Sequence, residues 1–237
     1  MRLHCEIHED GSFSIRNGEK RLIENCFPGI DDAPVRPLKT QVSPDGSAVK
    51  WITRDGEIEL TASWNDPDDL QLSCRLTGYD RPIEVIWLMY RAQAFGVRGC
   101  YQAARGMGND TGYLSGKRID EKRKVVSYGL GSLRYEGKKE NLTFFADRCD
   151  HYETVCVTES GGLLQALGPA WKSGEIKGKK TSCSLISIGF KVEKTLCGKD
   201  VEFPKIIFRD ASGMEDGLEY AADRIGKNMG ARLTMPP

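Results

Sequence analysis

The sequence predicts an all-β fold: a large antiparallel β-sandwich with one C-terminal α-helix. Three observations carry that expectation. Apolar and polar residues alternate with period two through most of the first two hundred positions. Turn signals interrupt the alternation at the short intervals of a sandwich. Only one stretch, near the end, has apolar residues at helical spacing.

The opening run "MRLHCEIHEDGSF" reads as a terminal strand with His4 and His8 on one solvated face. "ENCFPGIDDAPVRPLKT" (Glu24–Thr40) holds three prolines and is expected to be a long surface loop rather than a central strand. "AVKWITRD", "EIELTASW" and "DLQLSCRL" follow, separated by Asp55-Gly56 and Asn65-Asp66-Pro67-Asp68. They predict a meander of strands with one face buried and one wet. "PIEVIWLMY" (Pro82–Tyr90) is apolar on both faces in its second half and belongs deep between sheets. Trp51, Trp64 and Trp87 fall within these strands and read as core.

Phe95–Arg123 holds six glycines and alternates poorly, so it is expected to be a second long loop. Five further strand patterns follow, with turns at Glu136-Gly137, Ser160-Gly161-Gly162 and Cys197-Gly198. The helix then starts at a capping box of Ser212 and Glu215, with Glu215 and Asp216 favouring its dipole. Leu218, Ala222, Ile225 and Met229 are expected to form its buried stripe, and Gly230 its C-terminal stop.

Charge and composition narrow the chemistry. Thirty-four basic residues balance thirty-four acidic ones, so no field points to nucleic acid or an anionic membrane. No window is apolar enough to span a bilayer, and the start shows no signal-peptide core, which predicts a cytoplasmic chain. The eight cysteines include no C-x-x-C pair and read as free, mostly buried thiols. No metal site and no cofactor are expected, since only three histidines are present and no phosphate-cradling or zinc-binding motif occurs. His151 beside Asp150 could do acid–base work but reads better as a local hydrogen bond. From the residues alone, no catalytic set is visible.

One segment does carry a resemblance. "GLEYAADRIGKNMGARLTMPP" resembles the junction of glycoside hydrolase family 36, the α-galactosidase (melibiase) and raffinose-synthase-like enzymes. "GEIKGKKTSCSLISIGF" is similar to the turn and strand that precede that junction. "FPGIDDAPVRP" is loosely similar to the family's proline–acid–arginine loop, and "GCYQAAR" to its "NGYQSW" segment, with Ala103 and Ala104 in place of Ser-Trp.

The resemblance implies a galactose-mutarotase-like supersandwich over residues 1–211. Residues 212–237 would form a helix and linker leading into a catalytic (β/α)8 barrel outside this chain. Retaining glycoside hydrolysis needs two carboxyl groups roughly 5–5.5 Å apart, and the family carries both on that barrel. This chain would then be non-catalytic, supporting homo-oligomer formation and closing an α-galactoside pocket. The resemblance points to Asp32, Arg36, Tyr101, Gln102 and Arg105 as substrate-binding residues. The alternative is a free-standing carbohydrate-binding or protein-interaction module, for which Trp171 in "GPAWKSGE" would be the exposed stacking platform.

Overall fold

A computed structural model of the chain describes residues 3–66, 68–95, 97–104, 111–115, 123–135, 141–148, 153–160, 183–192 and 198–228. Over these the protein is all-β and antiparallel with a single helix. The strands are β1 (Leu3–Ile7), β2 (Phe13–Asn17), β3 (Lys20–Cys26), β4 (Gly29–Ile30), β5 (Ala33–Pro34), β6 (Lys39–Val42), β7 (Ala48–Ile52), β8 (Glu57–Asp66) and β9 (Asp69–Thr77). They continue with β10 (Val85–Phe95), β11 (Val97–Ala104), β12 (Thr111–Ser115), β13 (Arg123–Tyr135), β14 (Asn141–Ala146), β15 (Glu153–Ser160), β16 (Cys183–Lys191), β17 (Val201–Glu202) and β18 (Ile206–Ala211). Helix α1 spans Met214–Asn228.

The hydrogen-bonded ladder forks at β13. Along one side, β13 pairs with β15 through Arg123–Ser127 and with β14 through Leu130–Arg134. One branch runs β15–β16–β10–β3–β2–β1, and the other β14–β18–β9–β8–β7–β6. Both branches contribute to one hydrophobic cluster: Leu3, Phe13, Ile15 and Ile23 from the first, and Trp51, Ile58, Leu70, Leu72, Phe144 and Phe208 from the second. The β1–β2 turn closes over Trp51. Gly11 adopts φ +83° there, and a Cβ would come within 2.4 Å of Thr40 and 3.0 Å of Trp51 Nε1.

Trp51 and Trp87 are buried as expected, while Trp64 is half-buried, stacked on His4 and donating from Nε1 to Leu3 O at 2.9 Å. Cys5, Cys26 and Cys74 are free and buried. Burial pushes the Cys5 and Cys74 thiols up to about 12, so neither is a thiolate at neutral pH.

Two expectations about elements need correction. The glycine-rich stretch is not a long loop where it is described. β11 and β12 pair in continuous register from Gly99↔Ser115 to Ala103↔Thr111, and β11 also pairs with β13. Glycine lowers strand propensity, but pairing on both sides overrides that preference. The Glu24–Thr40 segment likewise contains the end of β3, the small β4–β5 hairpin and the start of β6.

The helix is where it was expected, but its buried face is shifted: Ile225 packs as expected, and Leu218 is only half-buried. Ala222 is exposed, and the side chains seated on the sheet are Ala221, Tyr220 and Ile225, packed on Phe145 of β14 and Ile207 of β18. Gly217 lies so close that a Cβ would sit 1.9 Å from Thr143 Oγ1. Met229 and Gly230 fall outside the described residues. Ser212 pairs with Asp216 rather than Glu215: its backbone N–H and its hydroxyl both donate to Asp216 Oδ2, at 3.1 and 2.8 Å.

Below the helix, successive cross-strand partners form one row on the outer face: Asp69 (β9), Arg209 (β18), Thr143 (β14) and Ser132 (β13). Asp69 is fully buried yet well compensated. Arg209 Nη1 donates to its Oδ1 at 2.9 Å, and the Tyr220 hydroxyl donates to its Oδ2. The Arg209 guanidinium lies 3.7 Å from the Tyr220 ring centroid, a cation–π contact.

Candidate functional site

The segment expected to carry Asp32 and Arg36 is fixed by its neighbour Asp31. β4 and β5 pair Gly29↔Pro34 and Ile30↔Ala33, leaving Asp31-Asp32 as the turn. Asp31 adopts a left-handed φ of 55°, which aspartate tolerates better than most residues. Its backbone N–H donates to Val85 O at 2.8 Å, and its carbonyl accepts from Trp87 Nε1 at 2.6 Å. Its Oδ1 accepts from the backbone N–H groups of Glu84 and Val85, at 2.8 and 3.1 Å. Arg81 lies 3.7 Å from its Oδ2 and also pairs with Asp55 at 2.7 Å. One side chain thus stitches the hairpin to the start of β10.

Asp32 and Arg36 contribute none of this bracing. Both are exposed, and neither side chain makes a hydrogen bond or ion pair with a described residue. Asp32 is held through its backbone, where its carbonyl accepts from the Tyr90 hydroxyl at 2.7 Å. Tyr90 lies over Gly29, where a Cβ would come within 2.6 Å of the tyrosine Cβ. It also meets Trp87 at 6.1 Å between ring centroids. The site is therefore a braced hairpin on an aromatic seat, presenting the Asp32 carboxylate at its turn, with Arg36 exposed in the chain just after β5.

Backbone strain gathers at this seam. Asn25, Asp31 and Arg91 are the non-glycine residues with positive φ among those described, and all three lie where β3–β5 meet β10. Asn25 Nδ2 donates to Gln93 Oε1 at 2.8 Å, and Arg91 N donates to Ser187 Oγ at 2.8 Å beside an irregularity in the β10–β16 register. Such conformations cost about 1–3 kcal/mol each and persist where surrounding contacts over-determine them. Sequence reasoning placed Trp87 in the core but missed Asp31 and Tyr90. An aspartate at the first position of a two-residue turn is the one local signal that could have singled out Asp31.

Of the other expected site residues, Tyr101 and Gln102 lie at successive positions of β11. Tyr101 pairs with Ser132 and Tyr113, which extends the Asp69–Arg209–Thr143–Ser132 row by register. Arg105 lies outside the described residues, as do His151 and Trp171. A single row of partners, Ile30–Ile86–Phe190–Thr154–Ser127–Ala104, joins the hairpin to the end of β11. Measured along the sheet, five strand spacings separate the two, about 24 Å. The fold does not place the hairpin that holds Asp32 and the strand that holds Tyr101 and Gln102 next to each other in the sheet.

Among the described residues no group of three or more His, Cys, Asp or Glu side chains could hold a metal ion, and no helix is long and apolar enough to cross a membrane. No protein-family model and no curated protein matches the sequence. Among solved structures, the chain is similar to the GH36 α-galactosidase AgaB from Geobacillus stearothermophilus, at 10% identity and a TM-score of 0.41. The match covers 92% of this chain and 31% of that enzyme, so the chain spans less than a third of its length.

Proposed function

We propose that this chain is the non-catalytic β-sandwich part of an α-galactosidase-like glycoside hydrolase, with its β4–β5 hairpin at the rim of a substrate pocket. The catalytic carboxylates would lie on a (β/α)8 barrel beyond residues 212–237, in a cytoplasmic homo-oligomer. The resemblance of the terminal segment supports the family. The observation that carries the role of the hairpin is the division of labour between its two aspartates. Asp31 is consumed in bracing, while Asp32 and Arg36 are held out on a fixed backbone with their side chains unengaged. A carboxylate and a guanidinium offered in this way suit sugar hydroxyls, which accept and donate directional, charge-assisted hydrogen bonds.

The test uses the longer enzyme that contains this chain. Asp32→Ala should raise KM for an aryl α-galactoside or lower kcat, with the thermal midpoint unchanged. This chain alone should give no turnover of that substrate. Unchanged kinetics in Asp32→Ala, or turnover by the repurified chain, would show the reading to be wrong.

A further inference from the structure

We propose that α1 is a releasable latch: it lifts from the outer face of the β9–β18–β14–β13 layer as a unit while the sandwich stays folded. The seat is poor in apolar contact. Among the described residues, Phe145, Ile207 and Ala221 are buried there with Tyr220 and Ile225 packed alongside, and Gly217 contributes close approach rather than area. The same seat leaves polar atoms stranded. Gln71 Nε2, Ser132 Oγ, Thr143 Oγ1 and Arg209 Nε are buried without a hydrogen-bond partner among the described residues, and Gln71, Ser132 and Thr143 are all more than nine-tenths buried. Each is penalised while the helix is down and regains its hydrogen bond when water enters.

Opening costs the sandwich little. β14 is paired on both sides, by β13 and β18, so lifting the helix breaks no ladder bond. Asp69 is not orphaned either, because Arg209 stays with it on the neighbouring strand. Among the described residues, polar contacts also hold the latch shut, the Arg209 guanidinium over the Tyr220 ring among them. Tyr220 donates to Asp69, and Asn228 Nδ2 donates to Asp147 O at 3.0 Å near the helix end. Release would uncover the row Asp69–Arg209–Thr143–Ser132, which runs in register to Tyr101.

Native-state hydrogen exchange on the intact chain, in rising sub-denaturing urea, tests this directly. The α1 amides should exchange at least about a hundredfold faster than those of β14 and β18, with a shallower urea dependence. Tyr220→Phe should accelerate the helix amides about tenfold and leave the strands unchanged. Gly217→Ala should accelerate them as well, although alanine favours an isolated helix. Helix amides that exchange at the strand rate and urea dependence would overturn the proposal. So would a Tyr220→Phe variant in which the helix rate is unchanged or helix and strands accelerate together, or slower helix exchange in Gly217→Ala.

Discussion

The β4–β5 hairpin and helix α1 are both small elements laid on a sheet, and each is anchored by one aspartate. The anchors differ in kind. Asp31 belongs to the hairpin itself and bonds backbone N–H groups of β10, within a segment also joined by strand pairing and a left-handed turn. Asp69 belongs to the sheet and reaches the helix only through the end of one long side chain, Tyr220. Backbone-to-carboxylate stitching fixes an element in one position, whereas attachment through side-chain tips leaves it separable. Rigidity therefore sits with the hairpin that displays Asp32 and Arg36, and mobility with the helix.

The largest effect should come from Asp31→Ala. It removes two charge-assisted hydrogen bonds and places a less tolerant residue at positive φ, at a cost of about 3 kcal/mol. Chemical denaturation would read this as a lower midpoint, and Asp31→Asn should restore part of it, because asparagine also accepts left-handed backbone. Next come the two glycine cradles. Gly29→Ala drives a Cβ into the anchored base of Tyr90 and should cost about 2 kcal/mol of global stability. Gly217→Ala meets the Thr143 side chain, and its effect should appear in helix docking rather than in the main unfolding transition. Equal loss of global stability in both variants would erase the contrast.

Alkaline titration gives a subtler signature. Desolvation, followed by the hydrogen bond to Asp69, raises the Tyr220 hydroxyl to about 12, against an ordinary value of 10.0. A raised phenol favours the folded state in its neutral form. That contribution is complete below pH 10 and is lost as pH climbs toward 12. Absorbance at 295 nm should show a late-ionising tyrosine that disappears in Tyr220→Phe. The smallest effect belongs to Asp32→Ala, which should alter stability by less than about 0.5 kcal/mol, since that side chain supports nothing.

The meander β7–β8–β9 was legible because its residues alternate and its turns are short, but the start of β9 departs from the expected wet face: Asp69 and Gln71 are buried together with Leu70 and Leu72. β11 and β12 were hidden by glycines whose weak strand preference is overridden by partners distant in sequence, such as Ser132 opposite Tyr101. The helix was found by its acidic first turn and its spacing, and Ile225 packs as expected, yet the centre of the buried face is at Gly217 and Ala221 rather than Ala222. Gly217 and Ala221 carry no hydrophobic signal, and what they supply is proximity to Thr143 and Phe145. At the hairpin, two adjacent aspartates look alike in sequence. Only the geometry separates Asp31, spent on Glu84 and Val85, from Asp32, which faces solvent.

The forked ladder has a consequence for synthesis. β10 needs β16, about a hundred residues downstream, and β9 needs β18, with Asp69 and Arg209 separated by 140 positions. A nascent chain with its first hundred residues exposed holds the β7–β9 meander but lacks the strands that cover its open edge and complete its core. Closing such long loops is entropically slow, and an uncovered apolar edge invites pairing with other chains. Completion of both branches therefore waits until residues 183–211 are available to pair, and until then the strand edges they cover stay open.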